Sequence, residues 1–149
     1  MQKFISLEPG KFYHIYTRGN NKESLFKNPD NCGLFLQLYK KYISPYADTF
    51  AYCLLPNHVH LLIRIKDADL LKPQWLSEDS TKLISVERQL AHLLNAFAKT
   101  INNRYERTGK LFQHRFRRKE VTSESYFTRL IFYIHFNPQH HGLIDEFTE

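Results

Sequence analysis

The spacing of apolar and polar positions changes several times along the chain, and each change predicts an element. Phe12 to Arg18 (FYHIYTR) is rich in aromatic and β-branched residues and runs into Gly19-Asn20-Asn21, which predicts a strand closed by a turn. Over Leu34 to Tyr42, Phe35, Leu38, Tyr39 and Tyr42 fall at helical spacing, and Pro45 ends the segment. Phe50 to Leu55 reads as a strand, Pro56-Asn57 as a turn, and His58 to Ile65 alternates with period two; together they predict a β-hairpin. Residues 67–84 mix charges with Pro73, Ser and Thr, which predicts a loop or surface insertion with Trp75 as its anchor. The clearest helix follows. Val86, Leu90, Leu93, Leu94, Phe97 and Ile101 form its apolar stripe, Arg88, His92, Asn95, Lys99 and Asn102 its polar face, and Thr108-Gly109 its end. Leu111 to Val121 (LFQHRFRRKEV) predicts another strand, and Ser123 is the expected N-cap of a last helix that runs to about Asn137 before Pro138 stops it.

The resulting order, β, α, β, β, α, β, α, has no internal repeat and no run of parallel βαβ units. It predicts an α+β fold of the ferredoxin-like, split βαβ kind, an antiparallel sheet with helices packed on it. A chain of 149 residues, 42% of them hydrophobic, fits a single domain over 1–149. Composition adds a partner: a formal charge of +6 favours a polyanion, nucleic acid ahead of a membrane surface. Lys3, Glu8 and Lys11 break any apolar core of a secretory signal, and no other window is long and apolar enough to span a bilayer, so a cytosolic protein is expected. Cys32 and Cys53 lack CxxC spacing and are read as free core thiols.

Two constellations carry candidate chemistry. In the strand from His58, Val59, Leu61, Ile63 and Ile65 share one face, while His58, His60, Leu62 and Arg64 share the other. Both imidazoles therefore point the same way, close enough to share one cation, and in a buried hairpin such nitrogens need a partner. In the last helix, with Tyr133 set at zero and about 100° per residue, Tyr126, Asn137 and Arg129 fall near +20°, +40° and −40°. They are expected to form a polar stripe, with Phe127, Leu130, Ile131 and Ile134 facing the core. Arg115, Arg117, Arg118 and Lys119, interrupted by Phe116, suit a surface that tracks a nucleic-acid backbone and stacks a base; Arg18 and Arg64 are further candidates. A solvated edge strand protected by charge would look the same.

Taken together, PNHVHLLI, LFQHRFRR and YIHFNPQHHGL resemble the HUH-type single-tyrosine transposases, and most closely their REP-associated branch. The resemblance runs from Tyr13 (YHIYTRGN) through Leu143, with residues 67–84 as a local insertion. It implies that His58 and His60 bind a divalent cation, Mg2+ or Mn2+, that Asn137 is the third ligand, and that Tyr133 is the nucleophile. Some relatives carry Gln in place of Asn137, a longer side chain. The implied activity is cutting and rejoining of single-stranded DNA at palindromic hairpins through a 5′-phosphotyrosine. Two imidazoles suit manganese better than magnesium on ligand chemistry. Rival readings are a rolling-circle initiator, in which a Lys usually stands where this chain has Phe136, a relaxase, in which the tyrosine usually precedes the histidines, and a non-catalytic nucleic-acid-binding module. Monomer and homodimer stay equally open.

Overall fold

The structure, a computed structural model, describes residues 5–70, 85–113 and 115–136. Its strands and helices follow in the expected order: β1 (Phe12–Arg18), α1 (Pro29–Tyr42), β2 (Ala47–Leu55), β3 (His58–Ile65), α2 (Val86–Arg104), β4 (Arg117–Glu120) and α3 (Glu124–Phe136). The strands pair antiparallel in the order β2-β3-β1-β4. β3 is thus inserted between β1 and β2, and β1 between β3 and β4, which is the split βαβ arrangement.

The two faces of this sheet are covered by different helices. On one, α1 and α2 pack together, and Ile15, Val59, Leu61, Ile63 and Ile65 meet Phe35, Leu90, Leu93, Phe97 and Ile101. On the other, α3 rests on β2 and β3, where Ala51, Cys53, Leu55 and Leu62 meet Leu130, Tyr133 and Ile134. β3 is consequently buried on both faces except at Arg64. Its period-two alternation sorts residues between two interiors, not between core and water.

Several boundaries differ from those expected. α1 begins at Pro29, five residues before Leu34, because the Asn28 side chain accepts from Asp30 N–H while the Asn28 backbone N–H donates to Asn31 Oδ1, with Pro29 in the first helical position. β2 starts at Ala47 and carries an irregularity between Thr49 and Ala51. α2 stops at Arg104, and the loop after it turns through positive φ at Glu106 and Gly109. That loop is held by Arg107, which bonds Glu23 and Asn102. The expected strand from Leu111 shrinks to Arg117–Glu120 because Leu111, Phe112 and Phe116 all turn into the α1–α2 core, which alternation forbids. Before it, Phe112 bridges Gly19, and Gln113 N–H donates to the Arg18 carbonyl at 2.9 Å. Of the two cysteines, Cys53 is buried as expected, whereas Cys32 is partly exposed. Ala68–Leu70 form a short 3-10 turn. The rest of the expected insertion, including Trp75, and also Asn137 and Pro138 lie outside the described residues.

Candidate functional site

Register across the sheet collects the polar groups that face α3. Opposite His60 stand Cys53 on β2 and Tyr16 on β1, and opposite Tyr16 stands Arg117 on β4. The next row carries Ala51, Leu62, His14 and Lys119, and the row on the other side carries Leu55, His58 and Arg18. Directly opposed residues share a face, so His58 and His60 point to α3, as the alternation in β3 predicts. Their rings lie 5.3 Å apart between centroids and perpendicular. At the His58 end the chain turns at Gly19, whose missing side chain is required: a Cβ there would come within 2.1 Å of the Glu23 carbonyl oxygen.

A third histidine belongs to this face, and the sequence reading missed it. His14 is completely buried, and its Nε2 lies 2.9 Å from His60 Nδ1. A lone histidine in an aromatic-rich strand gave no signal; only the register of β1 on β3 brings it to His60. Burial drives both rings to the neutral form, His60 down to about 2 and His14 to about 3, and the Lys119 charge adds to the effect at His14. His58 Nδ1 donates to Asn57 Oδ1 at 2.7 Å, which leaves the lone pair of His58 on Nε2.

α3 begins where Ser123 was expected to cap it: Tyr126 N–H donates to Ser123 Oγ at 3.2 Å. Its expected polar stripe is corrected. Tyr133 is only 3% exposed and packs with Leu130 and Ile134, its ring meeting His60 edge-on at 6.0 Å. Tyr126 also lies against this core, half-buried, with Lys119 Nζ 5.2 Å from its ring centre. Burial raises the Tyr126 phenol above its ordinary value. Arg129 alone of the three described stripe residues is exposed. The physical reason is that Tyr133 stands only about 60° from Leu130 on the helix, so the buried arc includes it. The sheet beneath is itself polar enough to receive a phenol.

The donor set fits a cation in part. His60 Nε2 is buried with no hydrogen-bond partner among the described residues, as expected of a nitrogen meant for another ligand. Cys53, opposite His60, is held as a thiol, burial pushing it up to about 11. Among the described residues no group of three His, Cys, Asp or Glu side chains could hold a metal. A third donor must be an amide, a hydroxyl, water or a residue outside the described ones, where Asn137 falls.

The basic candidates do not form one surface. Arg117 and Lys119 share the face of Tyr16 and His14. Arg118 points the other way, its side chain largely buried and 3.6 Å from Glu87. With Arg115, Arg88 and Lys110 it lines a groove of about 820 Å³ on the α2 side. Phe116, expected to stack a base, is a core residue. Arg64 bonds Asp67 at 2.9 Å, while Arg18 is exposed beside His58. No described helix is long and apolar enough to cross a membrane.

Comparison with known proteins gives this arrangement a class. A solved structure of a REP-associated tyrosine transposase bound to a REP hairpin superposes with a TM-score of 0.61 at 14% identity, covering 95% of this chain and 74% of that one. A protein of Deinococcus radiodurans R1 assigned as a transposase is a more distant match, with a TM-score of 0.45 at 18% identity over 91% of this chain and 96% of its own. By fold, then, the chain is an α+β protein with the sheet-and-helix architecture of the first of these structures. In sequence it is 27% identical over 138 residues to a Haemophilus influenzae protein assigned to the REP-associated tyrosine transposases, covering 90% of this chain and 72% of that protein. No family model matches the chain. In both sequence and fold the chain is thus similar to REP-associated tyrosine transposases.

Proposed function

We propose that the chain is a metal-dependent endonuclease and strand transferase for single-stranded DNA, acting at or near hairpins with Tyr133 as nucleophile. The observation that carries this reading is the packing of Tyr133 against His60, which joins the last helix to the His-x-His strand in one site. The hairpin enters from the structural relative, which was solved with one bound. His58, His60 and Asn137 would hold the cation, which, when bound, supplies positive charge to polarise a phosphodiester. Manganese suits the two imidazoles better than magnesium.

The remaining chemistry falls to the chain's own groups. A tyrosine phenol titrates near 10 in water, so only about one part in a thousand is phenolate at pH 7, a deficit of roughly 4 kcal/mol. Fixing the Tyr133 oxygen for in-line attack offsets part of that by removing orientational freedom from the reacting pair. In the cut, the Tyr133 oxygen bonds to phosphorus, the phosphorus–O3′ bond breaks, the phenol proton passes to water and the departing 3′-oxygen takes one up. The product is a 5′-phosphotyrosine. It keeps the phosphodiester linkage, so another DNA 3′-hydroxyl can displace Tyr133 and rejoin strands without ATP.

Tyr126 is the competing nucleophile, and its place on α3 disfavours it. It stands seven residues before Tyr133, about 10 Å along the helix, whereas Tyr133 is the one whose ring meets His60. The test is a denaturing gel of labelled hairpin DNA with Mn2+. Tyr133→Phe should abolish the covalent adduct while hairpin binding persists, and Tyr126→Phe should still form it. His58→Ala or chelator should also abolish it. An adduct retained by Tyr133→Phe and lost by Tyr126→Phe would reverse the assignment, and no adduct with the unmodified chain would leave only a binding module.

A further inference from the structure

The reaction above makes no use of His14, the most completely buried polar group beside the candidate metal ligands. Its Nε2 meets His60 on the Nδ1 edge of the ring, away from the Nε2 that has no partner among the described residues, so His14 cannot share a cation bound at that nitrogen. Two ring nitrogens 2.9 Å apart share a single proton, and its location decides what His60 can do. If His14 donated, the proton of His60 would sit on Nε2 and block it as a ligand. If His60 Nδ1–H donates, Nε2 keeps its lone pair. Asn57 already imposes the second arrangement on His58, because an amide oxygen only accepts.

We propose that His14 is a positioning residue: it accepts the Nδ1–H of His60 and so fixes the tautomer and ring orientation in which His60 Nε2 faces a divalent cation. This rests on the metal-dependent reading above. His14 does for one ligand what Asn57 does for the other, from a different strand. A hydrogen bond to the second nitrogen of a ligating histidine is worth tens of fold in metal affinity because it orients the ring and raises its basicity.

Calorimetric titration of the metal-free full chain with Mn2+ tests it, alongside imidazole nitrogen chemical shifts recorded without metal. His14→Phe, which fills the space but cannot accept, should weaken Mn2+ binding about ten- to a hundred-fold. His14→Gln, whose amide oxygen can accept, should recover most of the loss, and hairpin binding should be unchanged in both. The nitrogen shifts of the unmodified chain should show His60 protonated on Nδ1. Equal Mn2+ affinity in His14→Phe, with binding lost in His58→Ala, would overturn the role of His14 and leave the metal reading standing. A proton on His60 Nε2 would overturn it too, even if His14→Phe failed to fold. An unmodified chain that binds no Mn2+ would overturn both.

Discussion

His14 and His60 are histidines that stay uncharged far below the pH at which histidine usually ionises. In the unfolded chain each takes up a proton near pH 6.5, so below that pH the unfolded state binds more protons and stability falls as pH falls. The contribution is complete above about 6.5 and is lost progressively toward the folded values near 3 and 2. Between pH 7 and pH 5 each ring should cost on the order of 2 kcal/mol in the metal-free protein. Urea unfolding at the two pH values checks this, and His14→Phe should remove about half of the difference; a pH-independent midpoint would mean that the rings are charged when folded. At this scale the sequence was informative only where a pattern repeats within one element. The His58–His60 pair is legible from alternation in β3. His14 is not, since its partner lies 46 residues away and strand register cannot be read from one strand. Tyr133 was assigned to the wrong side of its helix because a phenol was counted as polar, although its ring packs as an apolar surface.

Among the elements, β4 shows how a charge run can mislead. Its residues read as one basic strip, but the pleat sends Arg117 and Lys119 toward α3 and Arg118 toward Glu87 under α2. The two sides should therefore differ in their effect on DNA. Arg117→Ala and Lys119→Ala should each reduce the slope of log K against log salt for a single-stranded hairpin arm by about 0.7 per lost phosphate contact. Arg118→Ala should leave that slope nearly unchanged and instead lower the melting temperature, because it strips Glu87 of a largely buried counter-charge. A loss of slope on Arg118→Ala alone would put the DNA on the α2-side groove. Element ends were legible where their signals are local, as at Ser123 before α3, and illegible where they depend on packing, as at Leu111 to Phe116. The start of α1 was missed because its first turn is polar and gives no helical periodicity until Leu34.

For the molecule as a whole, topology was the most legible property, because the succession of elements leaves few antiparallel arrangements and the ferredoxin-like one satisfies both split βαβ units. What the succession could not supply is how the helices divide between the faces. α1 and α2 share one interior with the sheet, whereas the main contacts of α3 are with β2 and β3 alone. The two split units are therefore complete without α3, and the larger core can persist while α3 opens. Amide hydrogen exchange should resolve this, with Leu130 to Phe136 losing protection sooner than Leu93 to Ile101 under the same native conditions. Equal protection in both helices would instead describe one cooperative unit. On the first outcome, the free energy needed to bring His60 into contact with solvent is that of detaching one helix and not that of unfolding the domain. Access to the buried rings would then answer to substitutions along the α3 seam while the melting temperature, set by the other interior, stays where it was.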